Sequence, residues 1–396
     1  MKKIGFFALA SIITVVLMSA PTLANAGFPL PSFQQQPPPL EPQEAADLYG
    51  KYFAEKDQAK KYELAKEFLE KYSSVDPYWK KGPQTFVKNY ELRQAYDKCD
   101  AADKAYFAMG GQNAANLNNL MTACDAYLAK DPNPNIHVSN RLALATGYGV
   151  LVGFYKDTDR SNAYAEKSLK LIEPTAPPSK DWPPDTWSKF RTENISRLKQ
   201  YQGLFKLRQP SADNEAAIRI LTEAAAVKDG PAAKDPNTYL LRAEATTALY
   251  TKLNAEYNAL PDGDKTGDKG KELLSKIYPV VEKMANDYAR VVALTEGKPE
   301  YKSIYDEAKA QTEQFVKFLN KDYKPEDLYK LFKGDIAAPD AKIKTDESVS
   351  SAPPVAPTVK SPKTATVAAA AGGSTATGNG TKTTAKPKAP PKKSKK

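Results

Sequence analysis

The chain has 396 residues, a formal net charge of +10 and a single histidine. The charge is unevenly placed: residues 335–396 hold eleven lysines against four acids, and Lys2 and Lys3 add to it, so the rest of the chain is close to neutral and offers no basic binding face. One histidine and two cysteines argue against a zinc enzyme or a Ser–His hydrolase, both of which want more of these side chains.

The first residues have the three parts of a secretory signal peptide. Lys2 and Lys3 are followed by an apolar run from Ile4 to Ala20, a break at Pro21, and small residues at Ala24 and Ala26. Cleavage before Gly27 is expected, giving an exported chain in the periplasm or outside the cell of a bacterium. The apolar run is shorter than the roughly 20 residues a membrane span needs. No later segment is apolar enough to span, so no transmembrane segment is expected after cleavage. Residues 27–41 (GFPLPSFQQQPPPLE) are rich in proline and glutamine and read as an extended leader.

From Pro42 to Gly334 the apolar residues recur at helical spacing. Leu117, Leu120, Met121, Cys124, Tyr127 and Leu128 make one helix face. Trp187, Phe190, Leu198, Tyr201, Leu204 and Phe205 make another. So do Tyr239, Leu240, Ala243, Thr247, Tyr250, Leu253, Tyr257 and Leu260, and then Leu274, Ile277, Val281, Met284, Tyr288 and Val291. No convincing strand alternation occurs. Helices are predicted over 42–56, 58–73, 83–109, 113–130, 135–156, 159–173, 184–208, 212–228, 235–260, 269–295 and 299–321, with a short one over 325–333. Asp76-Pro77, Asp131-Pro132, Glu173-Pro174 and Asp235-Pro236 are read as stops, because proline cannot continue the hydrogen-bond ladder. Short connections make neighbouring helices antiparallel. The fold class expected is all-α.

Three second helices share a small residue followed three and four positions on by a second residue and leucine, the second bulky in the first two: Ala65/Phe68/Leu69, Cys124/Tyr127/Leu128 and Ala165/Ser168/Leu169. The best stretch is Leu142–Pro174, with Ala143, Ala145, Gly147 and Tyr148 on a first helix and Ala163, Ala165, Leu169 and Pro174 on a second. On these residues the chain resembles the tetratricopeptide repeat (TPR) family. The resemblance implies antiparallel hairpins stacked as an α-solenoid, a fold that exposes a long surface for recognition. The repeats are degenerate: Leu69, Leu128 and Leu169 are 59 and 41 residues apart, whereas that family repeats at about 34.

Cys99 and Cys124 lie at similar distances from the turn expected near Gly110-Gly111, so a hairpin sets them at matching height. Outside the cytoplasm such a pair can oxidise. The alternative is two free core thiols, since hairpin axes 8–10 Å apart bring only some facing positions within bonding reach. His137 sits at a helix start and is read as incidental. The loop Asp262–Asp268 opens like a calcium loop, but Lys269 and Leu273 stand where an apolar residue and a closing glutamate belong. No phosphate-binding or dinucleotide-binding motif is present, and no metal, cofactor or catalytic group is expected.

Among the 22 tyrosines, Tyr148, Tyr155 and Tyr201 are candidates for an aromatic-lined groove for a peptide or glycan. Residues 335–396 are too poor in large apolar side chains to fold and are expected to be a disordered tail. Its end, with Lys386, Lys388, Lys392, Lys393, Lys395 and Lys396, is a candidate tether to an anionic envelope polymer. It lacks the interleaved aromatics and arginines of a base reader, so no specific nucleic-acid partner is expected. The function expected is an exported, non-enzymatic scaffold that binds a protein or peptide partner. The alternative is a binder of envelope glycan or anionic polymer.

Overall fold

The computed structural model describes residues 38–345, apart from 109–112, 132, 134 and 181. Among the described residues there are thirteen α-helices, two 3₁₀ turns and no strand: the protein is all-α. The chain divides into two compact units, whose described parts are residues 38–85 and 86–345. The expected signal peptide and the candidate tether lysines from 386 onward lie outside the described residues.

In the first unit, α1 (Gln43–Ala54) packs on α2 (Gln58–Lys71), and α3 (Pro77–Ala108) begins. Asp57 caps α2 by accepting from the backbone N–H of Ala59 and Lys60. Ala45, Leu48, Phe68 and Val75 form its core, with the Tyr49 ring edge-on to Phe68 and Trp79. The Trp79 indole N–H donates to the carbonyl of Pro38 and holds the end of the leader.

The second unit holds the rest of α3, then α4 (Ala114–Lys130), α5 (Ile136–Leu151), α6 (Thr158–Ile172), α7 (Pro184–Arg208), α8 (Asn214–Ala226), α9 (Pro236–Asn258), α10 (Asp262–Lys265), α11 (Asp268–Thr295), α12 (Lys302–Leu319) and α13 (Pro325–Gly334). From α4 to α9 each helix packs against the next, and α5 on α7, α7 on α9 and α9 on α11 also meet. Asn113, Asn135, Asp157, Asp213 and Asp235 each cap a helix start through a side-chain oxygen. Such a cap is worth about 1 kcal/mol. Three core clusters follow one another along this unit. The first is built on Tyr106, Leu117, Leu120 and Met121, the second on Trp187, Leu198, Leu204 and Phe205, and the third on Tyr250, Tyr257, Val281, Met284 and Phe315.

Four features depart from the expected elements. Pro77 opens a helix rather than only closing the preceding one, because the first helical turn needs no N–H. The helix that begins at Pro77 runs through Pro83 without ending. α5 stops at Leu151 rather than 156, where Gly153 at φ 86° lets its N–H turn back to the carbonyl of Gly149. The fourth is a correction at the C-terminal side. Composition places the end of the body at Gly334, yet residues 335–345 pack against the third cluster, with Ala338 and Ile343 buried.

Candidate functional site

Cys99 on α3 and Cys124 on α4 form a disulfide in the first cluster of the second unit. The tyrosines singled out from the sequence do not make an open groove. Tyr148 and Tyr201 are only 8% and 6% exposed and belong to the second core cluster, while Tyr155 packs at the seam between the first and second clusters. The physical reason is Gly147. A Cβ there would come within 2.2 Å of the Tyr201 ring, so the missing side chain lets that ring lie flat against α5. Tyr148 and Tyr201 fill space between helices, and Tyr155 is partly buried beside them.

His137 projects at the start of α5 with its imidazole stacked on Trp182 at 4.8 Å and edge-on to Phe190. Burial against these rings, with Arg141 nearby, holds it below the ordinary histidine range. In the loop with the calcium-like opening, Asp262 pairs with Lys265 and Asp264 with Lys269, the first of these pairs within a short helix. Among the described residues, no three His, Cys, Asp or Glu side chains gather where they could hold a metal ion.

The most elaborate polar arrangement lies instead on α11. From Met284 to Val292 every residue of this helix is buried, so its polar members must find partners inside the protein. Asp287 has no exposure at all and receives Arg242 of α9 through both Nε and Nη2. Arg290 lies within 3.8 Å of the same carboxylate. The Tyr239 ring faces both guanidinium groups and the Phe332 ring lies 4.0 Å from that of Arg290. Burial pushes the Asp287 carboxyl up, and Arg242 opposes that push. Two arginines against one wholly buried acid leave a positive charge on the floor of this region.

The chain after α13 covers that floor. Residues 336–344 run along α11 in the opposite direction, held by three side chains one helical turn apart. Arg290 donates to the carbonyls of Ile336 and Ala338 and to the Asp340 carboxylate, at 3.3, 2.6 and 2.6 Å. Asn286 makes a two-way bond with the backbone of Ala341, accepting from its N–H at 2.8 Å and donating to its C=O at 3.1 Å. Glu282 accepts from the N–H of Ile343 at 2.9 Å and from the Lys342 ammonium at 3.0 Å. Asn320, just past α12, donates to the carbonyl of Lys344.

The register has a simple origin. One turn of helix, four residues, rises about 6 Å, and two residues of extended chain advance about 6.6 Å. Asn286 and Glu282 therefore meet Ala341 and Ile343. The side chains of Ala338 and Ile343 turn inward onto the third cluster, while Ala337, Pro339, Lys342 and Lys344 remain exposed. The result is a groove that holds this segment chiefly by its backbone.

The sequence reading missed this groove. Its trace is Glu282, Asn286 and Arg290 at four-residue intervals, the last two with Asp287 in a stretch otherwise apolar on every side (Met284–Val292). No family model matches the chain, and no curated protein or solved structure matches it significantly.

Proposed function

We propose that this protein is an exported, non-enzymatic scaffold of stacked, TPR-like helix hairpins that binds an extended segment of a partner protein. The observation that carries this reading is the side-chain ladder of α11, Glu282, Asn286 and Arg290, with a non-helical chain segment seated on it. An amide that takes both the N–H and the C=O of one residue recognises what every peptide has, whatever its side chains. The run Lys2–Ala26, read as an export signal, supports recognition outside the cytoplasm. The succession of helices, each packed on the next and on the next but one, supports the hairpin-stack part of the reading.

Panning a random peptide library tests it, using the chain from Gly27 onward both unaltered and carrying Ile343→Asp to loosen the covering segment. Peptides selected on either form should lose most of their affinity for the Asn286→Ala variant, because one residue then loses two backbone hydrogen bonds. The reading is overturned if neither form selects a peptide, or if the selected peptides bind Asn286→Ala as well as they bind the parent.

A further inference from the structure

The segment 335–345 sits in the groove in the manner of a ligand, and its own composition makes it a poor one. Of its residues only Ala338 and Ile343 are buried, and it has no aromatic or leucine anchor. What holds it is mostly backbone: the Ile336, Ala338, Ala341 and Lys344 carbonyls and the Ala341 and Ile343 N–H groups all bond to side chains of the body. Past the turn at Asp335–Ala338, the contacts to Ala341, Ile343 and Lys344 are available to any extended peptide. The segment needs no high affinity of its own, because it follows α13 directly and so has a local concentration of order millimolar.

The groove also cannot comfortably stand empty. Arg290 is about 5% exposed, and its partners besides Asp287 are Asp340 and two carbonyls of the segment. Removing the segment leaves the guanidinium with Asp287 as its one charged partner, beside the Tyr239 and Phe332 rings, and Asp287 is already engaged by Arg242. A replacement that covers Arg290 is therefore favoured when it brings a carboxylate to the place of Asp340. By contrast Lys342 is 87% exposed, so its bond to Glu282 selects weakly.

Resting on the peptide-binding reading above, we infer that residues 335–345 are an intramolecular occupant of the groove, displaced by a partner segment of defined chemistry. That segment is an extended peptide with a small residue, then a carboxylate two positions later, then an aliphatic residue three positions after that, matching Ala338, Asp340 and Ile343. The displaced segment becomes free when the partner binds, which couples recognition to release of residues 335–345 from α11.

The test uses the full chain and a fluorescein-labelled peptide of sequence 335–345. Anisotropy should show the Ile343→Asp chain binding this peptide at least about ten-fold more tightly than the unaltered chain, which keeps its own segment in place. Adding Asn286→Ala to that variant, or replacing the peptide's Asp340 by alanine, should each weaken binding by about ten-fold. Equal binding by the unaltered and Ile343→Asp chains, or indifference to the carboxylate, would overturn the inference.

Hydrogen exchange on the unaltered chain covers the case in which Ile343→Asp does not fold. Excess unlabelled peptide should speed exchange at the Ala341 and Ile343 amides of the chain while those of α11 stay protected. If these two amides exchange only with global unfolding, the segment does not leave and the inference fails. A chain that binds library peptides but not this one sinks the inference and leaves the peptide-binding reading standing. Loss of all peptide binding sinks both.

Discussion

Asp287 has no contact with water and meets two arginines, so its charge is affordable only as part of the set. Replacing it by alanine leaves two buried guanidinium groups without their shared carboxylate, and breaking a buried pair in this way costs about 3–5 kcal/mol. Urea unfolding of Asp287→Ala should show a loss of that size. The double variant Arg242→Met with Asp287→Leu should recover most of it, since an apolar pair of similar volume removes both the attraction and the desolvation cost. If the single change is silent, the network is not the buried structure described above. None of this could be read from residue types alone. Asp, Arg and Asn in a helix usually mark its wet face, and only the packing of α9, α13 and the following segment turns them inward.

At the scale of elements, the apolar stripes were a reliable guide: of the Leu117–Leu128 stripe on α4 all but the partly buried Leu128 are buried, and the bounds of α4, α7 and α11 fall within a residue or two of expectation. Prolines were less so, because the same residue that stops one helix can open the next. The segment 335–345 was illegible for a clearer reason. Composition reports how much a segment can bury for itself, whereas this one is held through its backbone by side chains that lie up to 61 residues earlier in the chain.

The α3–α4 hairpin depends on a different kind of tie. Its bridge spans 25 residues, and closing a loop of that length stabilises by about 3 kcal/mol through the unfolded chain. Reduction, or Cys99→Ser with Cys124→Ser, should therefore lower the thermal midpoint and leave the helical circular-dichroism signal at low temperature unchanged. An unchanged midpoint after verified reduction would show that the bridge contributes nothing to stability.

For the molecule as a whole, the tyrosines dominate the response to alkali. Burial pushes the phenols of Tyr127, Tyr201 and Tyr250 up to about 12, and those of Tyr106, Tyr164, Tyr288 and Tyr329 higher still. In the unfolded chain the same groups ionise near 10. Between these values the folded protein keeps protons that the unfolded chain gives up, so stability is intact below pH 10 and falls as pH rises toward 12. Absorbance at 295 nm should show an exposed class of tyrosines titrating first, and a second class appearing only together with loss of helix. Smooth ionisation of every tyrosine while the helices persist would contradict this. A count of 22 tyrosines favours core over binding surface for any one of them, without saying which lie inside. Only Gly147 beneath Tyr201, and similar close approaches, decide for the interior.

The stack of His137 on Trp182 has a consequence for how the second unit can be observed. Imidazolium quenches indole emission more strongly than neutral imidazole, and His137 is the chain's sole histidine. Intrinsic fluorescence in mildly acidic solution therefore carries a one-proton signal from one known place, the start of α5. The molecule contains its own optical indicator, which reads the integrity of that corner without any label.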